Sequence, residues 1–455
     1  MTRPGRSSGD PGKVFFGHPR GLRTIVITEA WERFAQYGMQ TLLVLYLVGT
    51  LLQPGHIEYV FGFPQFRAGL EAVLGPLSVV ALASVIYGIY GSAIFLSPIF
   101  GGLLADRYLG KTRTVILGSL LMLAGHVLMT SETLFLPALL LLILGVGCFK
   151  GNLATQIGAI YPTDDRRRAN AFHIYSLAIN AGVIAAPLVA GTLGERLGWR
   201  YGFAAAGAGM LIGLAVYLAG RPHLPPDPPV RTSGQSKAVL TAPEKARTLT
   251  LLLILPPLAL AVVGTQQVFN AYLIWADRSA DLWIGTFHMP TTWLISIDMV
   301  TSVLSLLAAM WFWNRLARRG LVTGEVTRMI VGCGLLAAAY MLLAGASALA
   351  EADGGGVGLG PLILYHLLAS LAFAHIFPVS LALFARTAPA AINSTMMGIY
   401  YLHLFAATAI AGWIGGWLEP FGASRFWLLH AVIPVVAAGL FLLVGLTRRR
   451  SLSTA

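Results

Sequence analysis

Twelve apolar runs dominate the chain, each long enough to cross the roughly 30 Å hydrocarbon core of a bilayer. They fall at 23–50, 75–105, 113–131, 134–161, 169–194 and 201–220, and again at 249–275, 287–314, 327–349, 359–385, 393–418 and 426–447. Lipid leaves backbone groups no partner but each other, so segments of this length and apolarity are helices. Composition agrees: 56% of residues are apolar and 11% charged, where soluble domains carry about a quarter. A soluble enzyme, a disordered chain and a fibre are excluded. An all-α membrane protein with 12 transmembrane helices is predicted.

The two groups of six runs are separated by 221–248, which carries Pro-Pro-Asp-Pro-Pro at 225–229. That composition makes a linker, and the domains read as an N-terminal six-helix bundle (1–220), a linker (221–248) and a C-terminal six-helix bundle (249–455). With the N-terminus in the cytoplasm, cytoplasmic segments hold 24 Lys and Arg and external ones 5. The bias places both termini and the linker in the cytoplasm of an inner-membrane, multi-pass protein. The net charge of +12 is thus a topology signal, with lipid and not nucleic acid as the surrounding partner. Arg3, Arg6, Lys13, Arg20 and Arg23 precede the first run, which is read as a helix and not as a removed signal. Cys148 and Cys333 sit in apolar runs of opposite halves and make neither a metal spacing nor a disulfide framework.

An ionisable side chain in a spanning helix is costly unless paired or hydrated, so each marks a functional candidate. Five fall within runs: Glu29, Glu32, Arg33, Lys150 and Asp298. In the first run, positions 29, 32, 33, 36, 37 and 40 form one stripe at helical spacing, ending in Gln36, Tyr37 and Gln40. Two acids and one base leave negative charge over, which suits proton exchange. The alternative is an ion cluster that only holds the first helix in place.

Two bundles of six helices joined by a cytoplasmic linker resemble the major facilitator superfamily. Gly101-Gly102-Leu103-Leu104-Ala105-Asp106-Arg107-Tyr108-Leu109-Gly110-Lys111 is similar to that superfamily's loop motif, in which Asp106 would pair with basic side chains or face a helix N-terminus as a cytoplasmic clamp. Within it, Glu29-x-x-Glu32-Arg33-Phe34-x-x-Tyr37-Gly38 resembles the first-helix motif of the proton-coupled oligopeptide transporter family. Gly147-Cys148-Phe149-Lys150-Gly151-Asn152 and Tyr175-x-x-x-Ile179-Asn180-x-Gly182 resemble its fourth- and fifth-helix motifs. Weaker echoes lie at Leu240–Glu244, Phe377-Pro378-Val379, and Ala388-Pro389 with Met396-Met397-Gly398. The resemblance implies that Glu29 and Glu32 couple protons, while Arg33 and Lys150 bind a peptide carboxylate.

Departures from the family pattern bear on substrate. Gln36 stands for a Tyr and Gly151 for a Pro. The ion pair that closes the family's external gate is replaced by Gln40 and by Gln266, followed by Gln267. The family's acid on the tenth helix is Phe373 here, whereas Asp298 on the eighth stands for an Asn. Counted from the start of its run, Asp298 lies about 16 Å deep, near the midplane. It is expected to anchor the substrate amine with Asn180, with direct pairing to Lys150 or a role in proton coupling as alternatives. His173, Ser176 and Asn180 share a face of the fifth helix. Tyr37, Tyr87, Tyr90, Trp293 and Tyr401 are cavity candidates, with Tyr37, Gln36, Gln266 and Trp293 as substrate contacts. His375 and His403 read more readily as structural.

The expectation is a secondary active transporter, not an enzyme, importing di- or tripeptides or peptide-like zwitterions with protons by alternating access. A proton-coupled porter or antiporter for another small organic molecule is the alternative. No catalytic triad, metal cluster or phosphate loop appears in the sequence, and no cofactor is expected beyond the proton gradient. A monomer is expected.

Overall fold

The computed structural model describes residues 15–161, 165–227, 240–321 and 323–448. Arg3, Arg6, Lys13 and linker residues 228–239 lie outside them. Twelve long helices carry the fold: α1 Arg20–Tyr46, α2 Val79–Leu104, α3 Lys111–Leu128, α4 Phe135–Ile160, α5 Arg167–Ala186 and α6 Trp199–Gly220. The second set is α7 Ala242–Gln267, α8 Trp293–Arg318, α9 Glu325–Asp353, α10 Leu359–Thr387, α11 Asn393–Gly415 with a turn at Tyr401, and α12 Ala423–Thr447. Eleven of these stretches are apolar and long enough to cross a membrane on their own terms. The twelfth, α3, has Lys111 and Arg113 in its first turn and packs along α4 and α6.

Local chemistry explains the helix ends. Ser78 caps α2 through its hydroxyl, which accepts from Ala81 N at 3.2 Å. Thr241 and Glu244 form a reciprocal capping box on α7, with Pro243 in the first turn, so the Leu240–Glu244 echo is a helix start. Pro187 has no N–H to give its ladder; there α5 widens through Pro187–Gly191 before continuing as Thr192–Leu197.

Two runs are not the single helices their hydropathy suggests. The run 249–275 breaks after Gln267 and resumes as Ala271–Ser279. Gln267 and Asn270 both donate to the Ala411 carbonyl, at 3.0 and 3.2 Å, and so tie the break to α11. The run 287–314 begins as a hairpin strand, Phe287–His288 paired with Trp283–Ile284, and becomes helical only at Trp293. Asp298 is therefore the sixth residue of α8, about 8 Å from its start and not 16 Å.

In the N-terminal bundle α1 packs between α5 and α6, and α4 against α2 and α3. Gly182 is what lets α5 close on α1, because a Cβ there would collide with the Ala30 carbonyl. In the C-terminal bundle α12 packs on α7 and α9, and α10 on α8 and α9. The bundles meet along α2–α11 and α5–α8, and α2 and α11 cross where a Cβ on Gly88 would sit 2.8 Å from Gly412 Cα.

Cross-bundle hydrogen bonds are distributed unevenly. Ser78 donates to Glu419 at 2.7 Å, Trp293 Nε1 to Thr192 Oγ1 at 2.8 Å, and Ser296 to the Ile184 carbonyl at 2.8 Å. The backbone N–H groups of Thr291 and Thr292 donate to the two oxygens of Glu195, each at 2.8 Å, and Arg196 donates to the His288 carbonyl. All lie toward the face opposite the chain's ends.

Candidate functional site

The stripe on α1 is buried: Glu29 and Glu32 are 0% exposed, Gln36 5% and Arg33 6%. Arg33 Nε donates to Glu29 Oε1 at 2.8 Å, one helical turn away, and lies 3.1 Å from Glu32 Oε2. Its Nη1 donates to Gln36 Oε1 at 2.6 Å. The single guanidinium thus faces two carboxylates and an amide. Glu29 Oε2 and both Glu32 oxygens make no hydrogen bond among the described residues. A buried carboxylate without donors is costly as an anion, and a proton on it removes that cost.

Lys150 projects from α4, half-buried, with Nζ 5.3 Å from the centre of the Phe95 ring on α2. It forms no ion pair among the described residues, although Glu29, Glu32 and Arg33 act on it electrostatically. The neighbouring motif residues serve packing: Asn152 donates to the Cys148 and Gly101 carbonyls at 2.8 and 3.3 Å, and a Cβ on Gly147 would sit 2.7 Å from Ser97. Asn180, half-buried on α5, donates to the Ser176 carbonyl of its own helix at 2.9 Å. Tyr37 packs edge-on against Phe269, with ring centres 5.7 Å apart.

The expected contact between Gln40 and Gln266 is bridged, not direct. Gln40 Nε2 donates to the Tyr87 hydroxyl at 3.3 Å, and that hydroxyl donates to the Gln266 carbonyl at 3.4 Å. The Gln266 side chain is engaged elsewhere, accepting from Thr408 Oγ1 at 3.1 Å. Tyr87 was legible only as an aromatic cavity candidate. A charged cross-bundle contact on this face is Glu195, which accepts from the Thr291 and Thr292 N–H groups just ahead of α8. Trp293 adds to it through Thr192, and its indole packs against Phe287.

Asp298 does not pair with Lys150. Its Oδ1 lies 2.9 Å from Nδ1 of His366 on α10, whose Nε2 lies 2.8 Å from the Tyr272 hydroxyl. His366 is fully buried. Sequence reasoning passed over it because a single His inside an apolar run has no periodic partner; its partners lie 68 and 94 residues away. His375 and His403 bond backbone carbonyls of their own helices, as structural histidines do. Phe373, in place of the family's acid, stacks on Phe377 with centres 5.1 Å apart.

Asp106 is exposed and forms no hydrogen bond or ion pair among the described residues. The acid at the start of α3 is Asp227 from the linker: it accepts from Thr112 N at 2.9 Å and Thr112 Oγ1 at 3.0 Å. The expected contact of an acid with a helix N-terminus exists, but a residue 115 positions away makes it.

A model described as the POT family matches residues 112–243 and 239–423 of the chain. An uncharacterised transporter, YclF, of Bacillus subtilis is 28% identical over 97% of this chain and 96% of its own. A di-/tripeptide transporter of Lactococcus lactis subsp. cremoris is also 28% identical, over 95% and 96%. The peptide transporter YePEPT of Yersinia enterocolitica is 26% identical over 96% of each. Among solved structures, a mutant of a peptide transporter POT in complex with alafosfalin superposes with a TM-score of 0.82 at 25% identity, covering 97% of each chain. A POT family transporter in complex with 5-aminolevulinic acid gives 0.81 at 21% identity, over 96% and 98%. With twelve helices in two bundles and the α1, α4 and α5 motifs where that family carries them, the chain belongs to the POT family of the major facilitator superfamily.

Proposed function

We propose that this chain is a proton-coupled symporter of the bacterial inner membrane that imports di- or tripeptides or peptide-like zwitterions. The observation that carries the reading is the α1 cluster, in which one arginine serves two buried carboxylates, Glu32 holds Arg33 only at 3.1 Å without a hydrogen bond among the described residues, and Lys150, which forms no ion pair among them, acts on it. Protonating Glu29 or Glu32 weakens their hold on Arg33. Arg33 and Lys150 then take the substrate carboxylate as a charge-assisted pair. Gln36 orients Arg33, and Tyr37 feels the charges of both Arg33 and Asp298.

Asp298, helped by Asn180, is the negative pole for a substrate amine. The bundles 1–220 and 249–455 rock about this site, joined by the linker 221–248. The terminal face is cytoplasmic, as the 24-to-5 distribution of Lys and Arg indicates, so the closure at Glu195, Trp293, Gln40 and Gln266 is external. The protein works as a monomer, driven by the proton gradient without a cofactor. The peptide and di-/tripeptide transporters among its relatives, and the alafosfalin and 5-aminolevulinic acid held by two solved ones, support the ligand class.

A second reading, a porter for an organic acid without an amine, is favoured by the engagement of Asp298 with His366 and by Phe373. Uptake of labelled alanyl-alanine into proteoliposomes under an inward pH gradient tests the first reading. Uptake abolished by a protonophore supports it; uptake indifferent to pH rejects it. N-acetylated alanyl-alanine carried as well as the free peptide favours the second.

A further inference from the structure

We infer that Asp298, held by His366 and Tyr272, is a second proton-binding site, located in the C-terminal bundle and separate from the α1 carboxylates. The hydrogen-bond line has one direction. An ionised Asp298 takes the Nδ1–H of His366 at 2.9 Å, which leaves Nε2 as an acceptor for the Tyr272 hydroxyl proton at 2.8 Å. Both nitrogens of the fully buried imidazole are then satisfied in its neutral form.

A further proton can go to Nε2 of His366 or to the free carboxylate oxygen of Asp298. At Nε2 it would turn the Tyr272 hydroxyl proton away about its C–O bond and put a second N–H on an imidazole that is fully buried against the Tyr272 and Tyr365 rings. At Asp298 Oδ2 nothing has to move. That oxygen makes no hydrogen bond among the described residues and is not sealed off, for the Asp298 side chain is 12% accessible while that of His366 is 0%. An O–H bond forms on Oδ2, the carboxylate charge disappears, and His366 and Tyr272 keep their protons.

The titratable groups around Asp298 do not compete as counter-charges. They are His366 and Tyr365 from α10, Tyr272 from the segment after α7, Tyr340 from α9 and Tyr37 from α1. From α5 comes the Ile184 carbonyl, bonded to Ser296. Thr301 Oγ1 and Ser370 Oγ donate to the Asp298 carbonyl at 2.9 and 3.3 Å and fix its helix turn. His366 is a positioning residue, and Oδ2 alternates between a proton and a cationic ligand group.

Infrared difference spectroscopy of the full-length protein in lipid, with pH stepped and no substrate present, tests this independently of the transport reading. On a Glu29→Gln, Glu32→Gln background, adding Asp298→Asn is expected to remove one titrating carboxyl C=O band. Asp298→Glu should shift the band instead, which serves if the Asn variant does not fold. His366→Asn, whose amide N–H replaces Nδ1–H, should keep the band, and His366→Phe should move its midpoint at least ten-fold in proton concentration. No difference on adding Asp298→Asn, or loss of the band in His366→Asn, overturns the proposal.

Discussion

The two bundles each bury an acid site, built in opposite ways. On α1, Glu29, Glu32, Arg33 and Gln36 lie within two turns of one helix, and their contacts span three or four residues or adjacent positions. In the C-terminal bundle, Asp298 depends on His366 from another helix and, through it, on Tyr272 from a third segment. The α1 site is rich in charge and poor in hydrogen bonds, with three carboxylate oxygens making none among the described residues. The C-terminal site holds a single acid in an ordered line of donors. The first arrangement favours exchange of partners, because one guanidinium lies within reach of two carboxylates and an amide on its own helix. The second favours a fixed geometry with one open oxygen.

The largest effect that would break this contrast is on gradient-driven uptake. Glu32→Gln should abolish it, a loss of about 100-fold or more, on the scale of a lost general acid or base. Asp298→Asn should still show a response to the imposed pH step, measured as initial rates in proteoliposomes. If the two variants lose the response equally, the sites are not distinct in role.

Next is Lys150→Ala, which should weaken alanyl-alanine binding by about 1.5–3 kcal/mol, roughly 10- to 150-fold in Kd. Isothermal titration checks this, and a C-terminally amidated peptide should not feel the substitution. Amidated and free peptides losing affinity alike would remove Lys150 from the carboxylate pole.

His366→Ala should lower thermal stability by about 1–3 kcal/mol, because Asp298 Oδ1 and the Tyr272 hydroxyl both lose a buried partner. Glu29→Gln should cost less, since Glu32 remains beside Arg33. Scanning fluorimetry in one detergent compares them, and the reverse order would show that α1 is the more rigid site.

The smallest effect concerns closure. Tyr87→Phe removes the Gln40 and Gln266 links and should shift the equilibrium toward opening of the far face by about 1 kcal/mol. Glu195→Gln should shift it further, as one charge-assisted acceptor at an α8 N-terminal amide is lost. Spin-label distances across that face measure both. A larger shift from Tyr87→Phe would return the gate to the glutamine positions.

The sequence alone determined whatever depends on short separation or on bulk hydropathy. Twelve runs gave twelve helices because lipid forces each segment to satisfy its own backbone, and the α1 stripe was legible because helical spacing places positions 29, 32, 33 and 36 together. Hydropathy does not register broken geometry, so the interruption at Val268–Asn270 and the hairpin ahead of Trp293 lay hidden in apolar runs, and with them the distance of Asp298 from the start of its helix. The tertiary structure decided the long-range pairings: Asp298 with His366, Asp227 at α3 instead of Asp106, Tyr87 between Gln40 and Gln266, and Glu195 on the start of α8. Each joins residues 47 or more positions apart. Such partners share no period along the chain; they become neighbours only when packed helices bring their polar groups into one desolvated space, where each must find a partner.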